Sequence, residues 1–390
     1  MFGHARSLSV VALLALGACA PSGSPGSTDG APADSSGADG GGTRARLQLA
    51  FVDLDRFPDA TCSDGSPGAF YVQPGVGEDA DRWVIWFQGG GYCSAEDRCR
   101  ARAMEGSKVS SIGLPETTGA EGILSADPAV NPTFASWTHV RLHYCSSDRW
   151  TGQRTDPGFA ELFPSDPSQP FSFHGRFIVD AIVSTLLEPA PGRPTLSEAS
   201  EVVLTGSSGG AHGLRANLDR VGAALGDHGA AVVGLSDAGL FGELPPAAEA
   251  TEDEERRSAF TTWDAALDDS CLAAHPTDGW RCLDAARLLA EGHLATPTFF
   301  ASDQLDPVEI ERLGFGGDPE AVDAFGRGVR ERLREYADGA FAPRARDHVI
   351  VTTDRFGGAR ATRIEGRSLE EVFDGWRRGT SDDHVVIEAP

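Results

Sequence analysis

The chain has 390 residues, 40% of them hydrophobic, and a formal net charge of -25 at pH 7. This length and composition suffice for a sizeable core, arranged as one large domain or two ordinary ones. The strongly negative charge argues against binding to nucleic acid or to anionic lipid surfaces, and it disfavours polyanionic substrates.

Residues 1–18 predict an export signal, because a weakly basic start is followed by an apolar run too short to cross a bilayer. The run ends in "LGAC", which resembles the lipobox of bacterial lipoproteins, where cleavage leaves Cys19 to carry a diacylglyceryl anchor. An ordinary secretory signal with an incidental Cys19 is the alternative. The lipobox predicts an exported bacterial lipoprotein at the cell surface or in the periplasm. If the cell has two membranes, Ala20 after the cysteine favours the outer one.

Residues 19–46 are rich in Ser, Gly, Pro, Asp and Ala, so a disordered tether is expected there. From residue 47 to 390, apolar runs alternate with helical patterns. The predicted strands are 83–88, 138–144, 201–206, 230–239, 296–302 and 348–354, with helices near 175–187 and after 210. Apolar runs without strict alternation are typical of a mostly parallel central sheet with helices on both faces. The sequence therefore predicts one α/β domain with insertions, in which the acidic stretch 247–260 is a solvated helix or loop.

Seven cysteines become six if Cys19 carries a lipid, and an even number in an exported protein predicts three disulfides. Short separations suggest two local pairs and leave the remaining two cysteines to each other. The predicted pairs are Cys93 with Cys99, Cys271 with Cys282, and Cys62 with Cys145. A zinc site is the alternative, but the spacings lack the paired two-residue gaps of structural zinc sites. No metal and no cofactor are therefore predicted.

The stretch "EVVLTGSSGGAHGLRANL" places a glycine-rich turn between a predicted strand and a predicted helix. Gly206, Ser208 and Gly210 fit the pattern Gly-x-Ser-x-Gly, in which small residues let a strained turn expose one serine hydroxyl above the sheet. Ser208 is therefore the candidate nucleophile. An ordinary glycine-rich turn is the alternative.

A nucleophilic serine needs a histidine to accept its proton and a carboxylate to orient that histidine. In α/β hydrolases the chain order is serine, acid, histidine. Asp303 and Asp306 both follow the predicted strand 296–302, and either could instead be a turn residue. His348 and His384 are the C-terminal candidates for the base. Spacing alone does not choose within either pair.

The tetrahedral intermediate of such a reaction needs preorganised backbone N–H groups, an oxyanion hole. The stretch "IWFQGGGYC" puts Gly90, Gly91 and Tyr92 just after a strand, as in the glycine-rich oxyanion loops of esterases, and Gly209 offers the amide after the nucleophile. A phosphate-binding loop is the alternative, but no Gly-Lys-Ser/Thr follows. These four residues are predicted to bind the oxyanion and substrate.

Several segments together resemble the pectin acetylesterase/Notum family of extracellular serine carboxylesterases, over roughly residues 47–376. The matching stretches are "CSDGSPGAFYV", "QGGGYCSAEDRC", "GILSADPAVNP", "YCSSDRWTG", "GSSGGAHGLRANLDRV", "LSDAGLF", "LDPVEI", "FAPRARDHVI" and "IEGRSLEEVFDGW". Their order and spacing make the resemblance more specific than any one motif.

The resemblance implies an α/β-hydrolase-like fold without a metal, and it selects among the open candidates. The family's acid begins an Asp-x-x-Gln-aliphatic pattern, which "DPVEI" matches from Asp306 with Glu309 in place of Gln. The family's histidine lies in a segment similar to "FAPRARDHVI", which favours His348. The implied triad is thus Ser208, His348 and Asp306. Asp237, in the family motif "LSDAG", is interpreted as structural.

The implied function is hydrolysis of an O-acyl ester, acetyl or another short acyl group, on a small molecule or polysaccharide. The chain has Gly91 where Notum has a Trp just before Tyr-Cys, so the acyl-chain preference does not carry over. A lipase-like or Notum-like carboxylesterase for longer chains is the alternative, and a non-catalytic binding protein on the same fold is another. The membrane is a partner only through the lipid anchor, and nucleic acid is not a partner.

Overall fold

The computed structural model of this protein describes residues 46–106, 108–163, 166, 168–240, 244–380 and 382–390. The predicted export signal, Cys19 and the tether up to residue 45 lie outside the described residues. Among the helices in the described ranges, none combines the length and the apolar character that a bilayer crossing requires.

The strands are β1 Leu47–Phe51, β2 Ala69–Gln73, β3 Arg82–Phe87, β4 Thr117–Thr118, β5 Thr138–Leu142, β6 Glu201–Ser207, β7 Ala231–Asp237, β8 Thr298–Ala301, β9 Ala340–Ala342, β10 Arg363–Ile364, β11 Arg367–Ser368 and β12 Val385–Ile387. The α-helices are α1 Glu96–Glu105, α2 Gly175–Leu187, α3 Gly209–Gly226, α4 Pro246–Trp263, α5 Asp269–Ala274, α6 Ala285–Ala290, α7 Pro307–Arg312, α8 Pro319–Tyr336 and α9 Leu369–Arg377. Short 3-10 helices lie at Gly77–Asp79, Gly122–Leu124, Leu196–Glu198, Gly279–Leu283 and Gly358–Arg360.

Ten strands form one sheet in the order β12-β9-β8-β7-β6-β3-β5-β2-β1-β4, and β10 pairs with β11 in a separate hairpin. Every pairing from β12 across to β5 is parallel, and the pairings of β5 with β2, β2 with β1 and β1 with β4 are antiparallel. The predicted α/β fold with a mostly parallel sheet is confirmed. In such sheets the loops that leave the carboxyl ends of neighbouring strands meet at one edge, where ligands bind.

The central strand β6 is buried on both faces, which explains its unbroken apolar run. Val202 and Leu204 belong to the core that α2 and α3 cover, whereas Val203 belongs to the core on the opposite face. That second core includes Phe373 of α9. A strand between two helical layers has no polar face, so the alternating pattern of half-exposed strands is absent.

Residues 348–354 form turns, so the predicted strand there is wrong. Ile350 and Val351 are buried, as their hydropathy indicates. Their amides donate to the carboxylate of Asp237 at 2.9 and 3.0 Å instead of to a neighbouring strand. The end of the sheet is built by β9 and β12, which the sequence analysis did not predict. The acidic stretch is helical, in α4, and it is partly buried at Glu252 and Arg256.

The three predicted disulfides are present and confirm the predicted pairing. Cys93 lies two residues after Gly91 and is bonded to Cys99 in α1. This bond fastens the loop after β3 to a helix at a short distance along the chain.

Candidate active site

Ser208 lies at the sharp turn between β6 and α3, with φ 56° and ψ -125°. A positive φ is strained for a residue with a side chain, and this strain is typical of a nucleophile elbow. The turn needs glycine nearby, because a Cβ on Gly210 would lie 2.0 Å from the carbonyl oxygen of Phe87 in β3. The Gly-x-Ser-x-Gly pattern thus allows the elbow to pack against the neighbouring strand while Ser208 sits at its apex.

The glycine loop after β3 lies against this elbow. A Cβ on Gly209 would be 3.0 Å from the carbonyl oxygen of Gly91 and 3.5 Å from its nitrogen. Arg102 donates to the Gly90 carbonyl at 2.8 Å, and the Tyr144 hydroxyl donates to the Gly91 carbonyl at 3.0 Å. A trans peptide directs its N–H opposite to its C=O, so these bonds fix the N–H directions of Gly91 and Tyr92. Sequence reasoning had given no role to Arg102 or Tyr144.

His348 and Asp306 are hydrogen-bonded partners. Nδ1 of His348 lies 2.7 Å from Oδ2 of Asp306, whose side chain is 2% exposed. The other carboxylate oxygen of Asp306 accepts from the amides of Val308 and Glu309, at the start of α7. Because Asp306 accepts at both oxygens, it orients His348 with its proton on Nδ1 and leaves Nε2 free to take up another. Asp306 also caps the start of α7, a role that the sequence analysis did not predict.

The rival candidates have other hydrogen-bond partners. Asp303 is fully buried and binds the guanidinium of Arg355 through both oxygens, at 2.7 and 2.6 Å. His384 directly precedes β12, and its carbonyl accepts from Ala340 at the start of β9. In a parallel sheet the amino ends of all strands lie together, opposite to their carboxyl ends. His384 is therefore at the end of the sheet opposite to the Ser208 elbow.

Asp237, at the carboxyl end of β7, connects the elbow to the histidine loop. Its carbonyl accepts from the Ser208 amide at 2.9 Å. Its Oδ2 accepts from Ser207 Oγ at 3.0 Å and from the amides of Ile350 and Val351. Residues 350 and 351 lie two and three positions after His348, so one carboxylate holds both parts of the site together. These hydrogen bonds agree with the structural interpretation of Asp237, and two of them reach residues 113 and 114 positions away.

The electrostatic environment favours protonation of His348. Burial alone lowers its pKa, but the hydrogen bond and charge of Asp306, with smaller effects of Glu309 and Asp237, raise the pKa to about 9. Burial raises the pKa of Asp237 to about 7, although the hydrogen bonds from the amides of Ile350 and Val351 act to lower it. A carboxylate that stabilises an imidazolium ion is the arrangement required when histidine takes a proton from a nucleophile.

A small polar cavity of about 10 Å³ adjoins the elbow. Its lining is mostly charged or polar and consists of Tyr92, Arg149, His212, Glu252, Glu255, Arg256, Ala259 and Leu283. His212 lies one helical turn after Ser208 in α3. The hydroxyl of Tyr92 donates to Glu255 at 2.6 Å, and the guanidinium of Arg149 lies 3.8 Å from the centre of its ring. The side of the elbow next to Tyr92 is thus filled by an ionic network with room for about one water molecule.

The palmitoleoyl-protein carboxylesterase NOTUM of Drosophila melanogaster is 30% identical over 302 residues, which are 75% of this chain and 43% of that protein. NOTUM of Mus musculus is 26% identical over 351 residues, which are 85% of this chain and 65% of that protein. This chain thus spans less than two thirds of the length of these two relatives.

A solved structure of the Wnt deacylase Notum from Drosophila superimposes with a TM-score of 0.74 at 27% identity, covering 88% of this chain and 97% of that chain. The family profile described as Pectinacetylesterase matches residues 42–316. Since this match covers well over half of the sequence, the protein belongs to the pectinacetylesterase family.

Proposed function

We propose that this protein is a serine carboxylesterase that hydrolyses an O-acyl ester through Ser208, His348 and Asp306. The proposal rests on the 2.7 Å hydrogen bond between His348 and Asp306. Asp237 accepts hydrogen bonds both from the loop that contains His348 and from the Ser208 elbow. The family relation supports it, because related proteins are carboxylesterases by name.

The proposed reaction has two halves. Nε2 of His348 takes the proton of Ser208 Oγ while that oxygen bonds to the acyl carbon, and the amides of Gly209 and the Gly90 to Tyr92 loop stabilise the oxyanion. The intermediate collapses, and His348 returns the proton to the departing alcohol, leaving an acyl-serine. Water then attacks the acyl carbon with His348 again as the base, which releases the carboxylic acid and restores Ser208.

The substrate is proposed to carry a short acyl group, acetyl or similar, on a carbohydrate or related alcohol. The ionic network beside Tyr92 supports this, because charged side chains do not suit a long hydrocarbon chain. The alternative is a preference for long acyl chains, which the names of the NOTUM relatives favour.

A series of p-nitrophenyl esters, from acetate through butyrate and octanoate to palmitate, distinguishes a short-acyl from a long-acyl preference. We expect kcat/KM to be highest for acetate and to fall with chain length, because a longer chain would have to displace the ionic network around Tyr92. Ser208→Ala in the same series corrects for uncatalysed hydrolysis. A maximum at octanoate or palmitate would refute the short-acyl version and leave the esterase proposal intact.

The pH dependence of kcat/KM is a further expected result. Only neutral His348 can act as the base, so kcat/KM should fall as the pH decreases through its pKa in the free enzyme. Because Asp306 raises that pKa to about 9, the acid limb should lie well above the ordinary histidine value of 6.5. Initial rates measured with a slow ester, for which chemistry limits the rate, would show this limb. A profile that is flat from mildly acidic to alkaline pH would exclude His348 as the base.

The proposed cellular setting is an exported bacterial lipoprotein, anchored through Cys19 and tethered by residues 19–46. The "LGAC" sequence supports it, and the three disulfides fit an oxidising compartment. Membrane association of the full chain that persists in Cys19→Ser would refute the anchor.

A further inference from the structure

The glycine loop after β3, which supplies the proposed oxyanion hole, has no side chains of its own to hold it. Gly90 and Gly91 have φ values of 138° and 68°, in the left-handed region that favours glycine. Glycine has more backbone freedom to lose than any other residue, so this loop is not rigid by itself. An oxyanion hole accelerates a reaction only when its N–H groups are already directed at the reacting oxygen. Catalysis through this loop therefore depends on the groups that hold its carbonyl oxygens.

Arg102 of α1 is one of these groups. Its Nη2 donates to the carbonyl oxygen of Gly90 at 2.8 Å, and its Nε donates to Oγ of Ser147 at 2.9 Å. The carbonyl oxygen of Ser147 in turn accepts from the amide of Cys93 at 2.9 Å. One guanidinium thus contacts the first residue of segment 90–93 directly and the last residue through Ser147.

The positive charge of Arg102 is not balanced by a carboxylate. α1 carries two other arginines, and each of them forms an ion pair with a glutamate. These pairs are Arg98 with Glu255 and Arg100 with Glu96. Within the part of the chain that the structure describes, the guanidinium of Arg102 bonds only to the two neutral oxygens of Gly90 and Ser147. Its charge therefore lies uncompensated next to the oxyanion loop.

A cation in this position acts on an oxyanion in two ways. The N–H of Gly91 belongs to the same planar peptide group as the carbonyl of Gly90, so a donor that fixes the carbonyl also directs the N–H. A charged donor also polarises the peptide group, which makes its N–H a stronger donor on the opposite side. The oxygen carries its negative charge in the transition state and not in the bound ester. Both effects should therefore raise kcat more than they tighten substrate binding.

We propose that Arg102 is a positioning residue of the oxyanion hole and that its positive charge acts on the oxyanion through the peptide group between Gly90 and Gly91. This inference rests on the proposed esterase function. It assigns to an arginine outside the triad a share of the transition-state stabilisation. Arg102 itself does not touch the substrate in this proposal.

The disulfide beside Arg102 allows this role to be tested apart from the fold. Cys99, one helical turn before Arg102 in α1, is bonded to Cys93 of the loop. The covalent bond keeps α1 next to the loop when the side chain of Arg102 is changed. Substitution of Arg102 should therefore alter the direction and polarisation of one peptide group and leave the position of the helix.

Hydrolysis of p-nitrophenyl acetate by the full-length protein provides the first measurement. Arg102→Met, which keeps the length of the side chain without its charge or donors, should lower kcat by about 10- to 100-fold, less than the loss of a whole oxyanion donor. KM should change little, because the lost interaction belongs to the transition state. Arg102→Lys keeps the charge and a donor for Gly90, so it should retain much more of kcat.

Arg100→Met is the matched control. It removes an arginine from the same helix, two positions earlier, whose partner is Glu96 and not the oxyanion loop. Its kcat and KM should equal those of the wild type. Added methylguanidinium should restore part of kcat in Arg102→Ala, because it can occupy the position of the missing guanidinium, and it should have no effect on Arg100→Ala.

A transition-state analogue distinguishes this role from a merely structural one. The oxygen of Ser208 adds to the carbonyl carbon of an alkyl trifluoromethyl ketone, its proton passes to His348, and the carbonyl oxygen becomes an oxyanion in the hole. The inhibition constant should rise in Arg102→Met by the same factor by which kcat/KM falls. If Arg102→Met does not fold, Arg102→Gln replaces it in both measurements with the same expected result.

The possible contradictions are distinct from one another. Wild-type kcat in Arg102→Met would refute the role of Arg102 and leave the esterase proposal intact. A loss of kcat without weaker binding of the analogue would show that Arg102 only stabilises the fold. Wild-type protein that neither hydrolyses esters nor is labelled at Ser208 would refute the esterase proposal and this inference together.

Discussion

Ser208→Ala is expected to lower kcat by about 10⁴-fold or more, because removal of the nucleophile from a triad leaves only the contribution of the oxyanion hole and binding. The reason is local: Ser208 is the residue at the apex of the elbow, with φ 56°. KM should change little, since the hydroxyl contributes to the transition state more than to substrate binding. Initial rates with p-nitrophenyl acetate provide the measurement.

Covalent labelling separates catalysis from mere binding. A fluorophosphonate reacts with an activated serine hydroxyl, so the wild type should be labelled at Ser208 and Ser208→Ala should not. Ser207→Ala is the matched control, because Ser207 is the adjacent serine and its hydroxyl donates to Asp237. It should still be labelled, although more slowly if the tie to Asp237 matters. Wild-type protein that neither labels nor turns over any ester would favour the non-catalytic binding protein.

Asp306→Asn is expected to lower kcat by about 10⁴-fold, the effect seen when a triad carboxylate is replaced by an amide. The amide can still accept from Val308 and Glu309, so the start of α7 should persist. It cannot stabilise the charged ring of His348, and its NH₂ group favours the wrong tautomer. Kinetics together with the melting temperature will distinguish a lost function from a lost fold.

Asp303→Asn is the matched control for this variant. Asp303 lies three residues earlier, and its partner is Arg355 rather than His348. The substitution weakens a buried ion pair, so we expect a lower melting temperature and only a modest loss of kcat at temperatures where the protein is folded. Equal losses of kcat in the two variants, at full folding, would contradict the assignment of Asp306.

The fold class was predictable because it depends on local patterns. The residues of β6 are apolar without alternation, and this reflects a strand covered on both faces. The Gly-x-Ser-x-Gly pattern between that strand and α3 predicted the elbow for a similar reason, since only small residues fit where Gly210 meets Phe87. Two cysteine pairs followed from their short separations of 6 and 11 residues, and the third followed because two cysteines remained.

The segment after His348 shows where local patterns fail. The sequence "HVIVTTD" has the apolar composition of a strand, and its residues Ile350 and Val351 are buried. The hydropathy of a segment predicts its burial. Its hydrogen-bond partners depend on which residues lie next to it in the folded protein. Here that partner is the carboxylate of Asp237, 113 residues earlier than Ile350.

The sequence by itself determined the layered α/β architecture, the position of the Ser208 elbow and the two local disulfides, since these depend on neighbours along the chain. The third disulfide followed by elimination, and the members of the candidate triad followed from the family resemblance. Only the tertiary structure decided that Asp306 contacts His348 while Asp303 is occupied by Arg355. Spacing does not distinguish Asp303 from Asp306, and only the family resemblance favoured Asp306. Their partners come from loops that meet only when the sheet is assembled, because contact between distant segments is fixed by packing and not by local propensity.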